Sequence, residues 1–338
     1  MKINNRRYIG CKNKLLDFVY NTVTSLGYDN TNSFADIFAG TGVVAYKFAE
    51  NGYKTILNDI LYSNYVIYKA LFGKEKIRAD LMQQEITYFN ELDPNTLSDN
   101  YFSTVYGNKY YSLNDSKKIG FIRDYIEDNK NKYNDREYYY LISCLIYSID
   151  KTANTVGHFE SFLKKTPKDK GVKLELFSID EDLKESDIYI EDANQLVRHI
   201  YADIVYIDPP YNARQYVNFY HVLENVARWN KPTEFEGNSM KFKRNELKSG
   251  YCRLNTATSL FDDLITNLKC KLIVVSYSNT YKAGSISSVN TISSDDIIRI
   301  LSKRGKVIVK DKDYNAFNAG KTELNNHKEL LYICEVEL

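Results

Sequence analysis

Apolar and polar positions along the chain fall into two regimes. SFADIF, residues 33–38, is a short apolar run that ends at Gly40-Thr41-Gly42, and VVAYKFAENG after it has the spacing of a helix that stops at Gly52. YKTILND then reads as a second strand ending on Asp59, which completes a β-α-β unit. From about residue 62 to 185 helical spacing takes over. Ile119, Ile122 and Ile126 share one face of DSKKIGFIRDYIEDNK, and REYYYLISCLIYSID is apolar almost all round, as a buried helix is. Strand signals then return in IYIEDANQLVRHI, ADIVYI and KLIVVSYS, and KVIVK and ELLYICEV follow a helix at DDIIRIL. The pattern predicts an α/β fold with an open, mostly parallel sheet built from residues 1–61 and 186–338, interrupted by a helical insert at 62–185. At about 120 residues the insert is larger than an ordinary loop.

Composition narrows the classes. The chain has 338 residues, 43% hydrophobic and 26% charged, as a folded soluble protein does. No apolar run approaches the roughly 20 residues of a membrane helix. MKINNRRYIG lacks the apolar core of a signal peptide. Cys11, Cys144, Cys252, Cys270 and Cys334 are odd in number and form no C-x-x-C pair, so a reduced, cytoplasmic protein without a metal site is expected. Thirty tyrosines accompany many Asn, Lys and Ile residues, a codon bias, and so do not by themselves argue for base stacking. The net charge of +1 speaks against a simple basic DNA-binding module. Basic residues nevertheless gather in RRYIGCKNK, LKKTPKDKGVK and KFKRNELKSGYCR, which predicts a basic groove if the three share a face; separately, each is a solvated surface.

In a doubly wound sheet, ligands bind beyond the carboxyl ends of the strands. FAGTGVVA sits there, with Gly40 and Gly42 permitting a tight turn and close backbone approach, and Asp59 placed to accept hydrogen bonds from ribose hydroxyls. The segment also satisfies G-x-G-x-x-A, so a nicotinamide enzyme stays open at this point. Asp36, Asp59 and Asp192 would repel a pyrophosphate and suit a ligand with hydroxyls, amines and positive charge, such as S-adenosylmethionine. DIVYIDPPYNARQY, residues 203–216, then supplies a rigid polar end to a buried strand. Its prolines fix φ and remove two N–H donors, so Asp208 and the Pro209 carbonyl are free to accept both hydrogens of an exocyclic amine while Tyr211 offers a stacking face. Accepting from both N–H groups returns the nitrogen lone pair from the aromatic ring for attack on a sulfonium methyl.

YIGCKNKLL, DIFAGTGVV, LND, DIVYIDPPYNARQY, SYSN and KELLYIC resemble, in that order and over nearly the whole chain, the Dam-like (alpha-order) adenine-specific DNA methyltransferases. NTVGHFESFLKK and DPPYNARQYVNFYHVLEN look most like the modification enzymes of restriction systems. The resemblance implies a Rossmann-like methyltransferase fold with an antiparallel last strand. It implies Asp208, Pro209, Pro210 and Tyr211 as catalytic residues, and S-adenosylmethionine, with no metal, held by Tyr8, Lys12, Phe38, Gly40, Gly42, Asp59, Asp192 and Asp208, with Asp36 of the acidic crevice a further cofactor-site candidate. By the same resemblance the insert corresponds to the target-recognition region, the partner is double-stranded DNA whose target base is flipped out, and a cognate restriction endonuclease is a possible second partner. Cys11 stands where Ser or Gly is usual, and SYSN carries one residue more than the commoner SYN.

For DNA contacts the candidates are Lys12, Lys14, Lys164, Lys165, Arg214 and Tyr216. Arg214 serves equally as a loop cap, and Lys164 with Lys165 as a solvated pair. His158 reads as a structural hydrogen-bond partner, since amine methylation needs no histidine base, and Trp229 reads as core. Methylation of cytosine N4 or of RNA remains an alternative, as does a non-catalytic DNA-binding subunit; the second would need none of Asp208, Gly40 and Asp59.

Overall fold

A computed structural model describes residues 7–184, 186–280, 289–313 and 328–337. Arg6 of the first basic cluster lies outside them. The chain divides into two compact units. One comprises residues 9–60, 183–216 and 246–338, the other Arg7 and Tyr8, residues 61–182 and residues 217–245.

The first unit carries a seven-stranded sheet: β1 (Ser33–Asp36), β2 (Lys54–Asn58), β3 (Ser186–Tyr189), β4 (Ile204–Ile207), β5 (Leu272–Ser278), β6 (Val307–Asp313) and β7 (Lys328–Glu335). The order is β3-β2-β1-β4-β5-β7-β6, so the chain reverses direction across the sheet between β1 and β4. β3 through β5 run parallel, while β7 is antiparallel to both β5 and β6. This is the Rossmann-like architecture expected, antiparallel close included. β4 and β5 are buried at every position because apolar side chains cover both faces, the condition that lets parallel strands read as continuous apolar runs. One face packs Ala35, Ile37, Val205, Ile207, Ile273 and Val275 against Leu196, Phe261, Leu264 and Ile297. β6, at the edge, is half-buried to exposed and ends in Lys310-Asp311-Lys312-Asp313, charges that discourage further strand pairing.

The second unit is helical, with a short antiparallel hairpin, Phe235–Glu236 with Lys241–Phe242, that the sequence pattern does not predict. Ile119, Ile122 and Ile126 are fully buried on the helix Leu113–Asp128. The helix Asp135–Thr152 opens with a capping box formed by Asn134 and Glu137. Glu224, also buried, accepts the N–H groups of Tyr62 and Ser63, each at 2.9 Å, and so satisfies two unpaired donors at the start of the helix Tyr62–Phe72. Helical spacing was expected as far as residue 185, yet residues 153–184 form neither helix nor strand. Pro167 and Gly171 (φ +66°) interrupt that stretch, which is held instead by the buried side chains Phe159, Val172, Leu174 and Phe177. Trp229 is buried as expected, its indole N–H donating to Asp124 at 2.9 Å. Among the described residues, no helix is long and apolar enough to cross a membrane.

Candidate active site

The sheet unit builds its site at the carboxyl ends of β1, β2 and β4. Gly40 (φ +53°) and Gly42 (φ +74°) turn the chain from β1 into the helix Val43–Ala49, in backbone conformations that L side chains rarely adopt. The turn is tied to its neighbours by Gly40 N–H donating to Asp59 Oδ2 at 2.9 Å and Ala39 N–H donating to the Asn58 carbonyl at 2.9 Å. Buried Asn58, unforeseen beyond its place in LND, fastens three strand ends at once. Its amide donates to the carbonyls of Ile37 and Glu191, both at 3.1 Å, and its carbonyl accepts from Glu191 N–H at 2.9 Å. Phe38 follows β1 and meets Tyr251 edge-on at 5.1 Å.

Asp36 ends β1 with 1% exposure, and its Oδ1 has no hydrogen-bond partner among the described residues. Burial, reinforced by Asp208 and Asp59, pushes its carboxyl well above the usual carboxylate range. Asp192 stands farther along, after β3, where its carboxylate caps the short helix Ala193–Leu196 by accepting from Asn194 N–H at 3.0 Å and Gln195 N–H at 3.2 Å.

Asp208-Pro209-Pro210-Tyr211 leaves β4 beside this turn. The loop is pinned through the Tyr211 carbonyl, which accepts from Thr291 N–H at 2.7 Å and from the Tyr277 hydroxyl at 3.2 Å. Its side chains form a buried polar cluster. Lys12 Nζ lies 2.9 Å from Asp208 Oδ1, 2.6 Å from the Tyr211 hydroxyl and 3.3 Å from Glu329 Oε1. The Tyr211 hydroxyl is 2.5 Å from both Asp208 Oδ1 and Glu329 Oε1, and Ser276 donates to Glu329 Oε1 at 2.6 Å. Burial raises the Asp208 carboxyl from 3.8 to about 6, with Lys12 opposing the rise and Glu329 adding to it. Burial between the two carboxylates also lifts the Tyr211 hydroxyl well above its ordinary range, so it stays a phenol.

Of the residues singled out in the sequence, Lys12, Asp36, Phe38, Gly40, Gly42, Asp59, Asp208 and Tyr211 therefore belong to one unit, and Lys12 meets Asp208 directly. Lys12, expected at cofactor and DNA, is a buried ion-pair partner of Asp208 here. The Tyr211 ring, expected as a stacking face, packs against Tyr277 at 4.6 Å with Lys12 Nζ 4.8 Å from its centroid. Tyr216 donates its hydroxyl to the Ile9 carbonyl at 3.2 Å, and exposed Arg214 gives its carbonyl to the Cys252 thiol at 3.3 Å; Lys14 is exposed. Tyr8 lies in the helical unit, stacked on Tyr220 at 4.7 Å, and exposed Lys164 and Lys165 lie in that unit as well. His158 packs against Phe219 at 5.0 Å and accepts from Glu160 N–H at 3.3 Å, a structural environment. Sequence reasoning missed Glu329 and Ser276; a carboxylate inside the otherwise apolar run ELLYIC was the available signal.

The family model of the D12 class N6 adenine-specific DNA methyltransferases matches residues 8–280. Modification methylase StsI of Streptococcus sanguinis is 36% identical over 347 residues, covering 97% of this chain and 52% of its own length. Type II methyltransferase M.NlaIII of Neisseria lactamica is 32% identical over 343 residues, covering 97% and 98%, and type II methyltransferase M.CviAII of Paramecium bursaria Chlorella virus 1 is 30% identical over 344 residues, covering 99% and 100%. The chain thus spans about half the length of the first of these relatives and nearly all of the other two.

Proposed function

The chain belongs to the D12 class N6 adenine-specific DNA methyltransferase family, and we propose that it transfers the methyl group of S-adenosylmethionine to the N6 amine of an adenine flipped out of double-stranded DNA. The observation that carries this reading is the adjacency of two features: a glycine turn opening at β1, and an Asp-Pro-Pro-Tyr end on the neighbouring strand β4 with its aspartate at the carboxyl edge. The residues suit the cofactor. Gly40 and Gly42 leave room for close approach, Asp59 accepts hydroxyl donors, and the unpartnered Asp36 Oδ1 is a buried acceptor beside them. When bound, S-adenosylmethionine supplies an electrophilic sulfonium methyl.

Asp208 and the Pro209 carbonyl accept the two N6 hydrogens, which draws the nitrogen toward tetrahedral geometry and localises its lone pair. Ionised Asp208 then stabilises the positive charge that grows on nitrogen, an interaction stronger in the transition state than in the ground state. Pro210 keeps the loop rigid. Tyr211 gives the base its stacking face, which requires its hydroxyl to release Asp208 first. Phe38 and Asp192 line the cofactor side. The helical unit reads the target sequence, with Lys164 and Lys165 on phosphates, and Lys14, Arg214 and Tyr216 hold the DNA strand from the sheet unit. Such an enzyme works where cellular DNA is within reach, in the cytoplasm. The modification-methylase relatives support a role in protecting host DNA from a cognate endonuclease. Modification-detecting sequencing of DNA from cells expressing the chain is expected to show N6-methyladenine in one short context. Methylated cytosine, or no mark, would refute the assignment.

A further inference from the structure

Glu329 is out of place as a structural residue. It faces the same side of β7 as Leu331 and Ile333, is 1% exposed, and stands where an apolar side chain would suit the sheet better than a carboxylate whose desolvation costs several kcal/mol. What it touches is the methylation site. Its Oε1 meets the Tyr211 hydroxyl at 2.5 Å, the Ser276 hydroxyl at 2.6 Å and Lys12 Nζ at 3.3 Å.

Counting protons gives this contact its meaning. The Tyr211 oxygen is 2.5 Å from Asp208 Oδ1 and equally close to Glu329 Oε1, but a phenol has one proton to donate. Two bare oxygens repel at that distance, so the two carboxylates compete for the one phenol proton and each negative charge bears on the other. Lys12 donates to the Tyr211 oxygen at 2.6 Å and compensates part of the remaining negative charge. When Tyr211 donates to Asp208, Glu329 is left with the Ser276 hydroxyl and the Lys12 ammonium.

Building on the proposed methyl transfer, we propose that Glu329 is a positioning residue of this site: its buried charge, linked to Asp208 through the Tyr211 hydroxyl, sets the pH at which Asp208 is ionised for catalysis. The other groups that bear on the pair are Lys12 before the first helix, Asp36 at the end of β1, which Asp59 after β2 in turn affects, and Tyr206 on β4. All of them remain in a Glu329→Gln variant, so the change isolates one negative charge. Glutamine keeps the shape and an accepting oxygen but cannot be the second carboxylate.

The test is the pH dependence of single-turnover adenine methylation. In the wild type, activity falls as pH drops through the Asp208 carboxyl at about 6. With the like-charged neighbour gone, the acid limb of Glu329→Gln is expected to move down by about one unit. The same substitution in a Tyr211→Phe background is expected to move it less, because the hydroxyl link is already cut. An acid limb unchanged in Glu329→Gln, whatever the loss in rate, would overturn the proposal and leave Glu329 a structural residue. Difference infrared spectroscopy of the free proteins just below pH 6 needs no substrate, and the wild type should show a protonated carboxyl band that Glu329→Gln lacks. Absence of that difference also overturns the proposal. A wild type with the band but without adenine methylation would instead refute the proposed reaction. Should Glu329→Gln fail to fold, Glu329→Leu, the apolar kind of side chain that the sheet favours there, should lack the same band.

Discussion

Asp208 should make the protein less stable at neutral pH than its own asparagine variant. Its side chain is 17% exposed, and burial outweighs the Lys12 ammonium 2.9 Å away, so the folded state raises the carboxyl from 3.8 to about 6. A rise of that size corresponds to about 3 kcal/mol. The sign follows from proton uptake. Between those two values the folded protein binds a proton that the unfolded chain has lost, so the contribution is fully present below the unfolded pKa and is lost as pH rises through the folded one. Asparagine is neutral throughout and has nothing to lose, while Glu329 at 3.3 Å keeps the Lys12 ammonium paired. The stability of Asp208→Asn relative to wild type should therefore grow by about 2 kcal/mol from pH 4 to pH 7, then level off, while methyl transfer collapses.

The measurement has to follow the right unit. The single tryptophan, Trp229, is in the helical unit, so its fluorescence reports the wrong one. Urea-dependent hydrogen exchange, read by mass spectrometry on peptides from Ile204–Ile207 and Leu272–Ser278, reports the sheet beneath Asp208. A gap that stays flat between pH 4 and pH 7, or an asparagine variant less stable at neutral pH, would show that Lys12 repays the desolvation of Asp208 in full.

Asp59→Ala removes the acceptor for Gly40 N–H and a proposed acceptor for the cofactor, so calorimetry should find S-adenosylmethionine binding weakened by about 1–3 kcal/mol; equal affinity would take Asp59 out of the site. If the basic clusters share DNA phosphates, affinity should fall steeply with salt despite a net charge of +1, and reversing Lys164 and Lys165 to glutamate should flatten that dependence. An identical salt slope in the double variant would mark the two lysines as solvated surface.

The parts of this molecule legible in the sequence are those whose signal is local. A glycine pair after an apolar run and two prolines after another each restrict their own backbone, so the turn at Gly40 and Gly42 and the stop after β4 could be placed residue by residue. Periodicity located all seven sheet strands for the same reason. It failed over residues 153–184, where buried anchors too widely spaced for a helix hold a stretch containing Pro167 and Gly171. The partners of Asp208 were hidden by a different cause. Lys12 lies 196 residues before it and Glu329 lies 121 residues after it, so even the local signal of Glu329, a carboxylate at the head of an apolar run, does not say which residue it meets. Lys12 reads as one cation of a basic cluster and Glu329 as the polar start of a strand. Only the antiparallel pairing of β7 with β5, which sets Glu329 opposite Ser278, brings that carboxylate under Tyr211. Because this pairing lies beyond β4 on the side away from the glycine turn, the turn and the aspartate can be complete in a sequence while one of the charges that bear on that aspartate comes from the last strand.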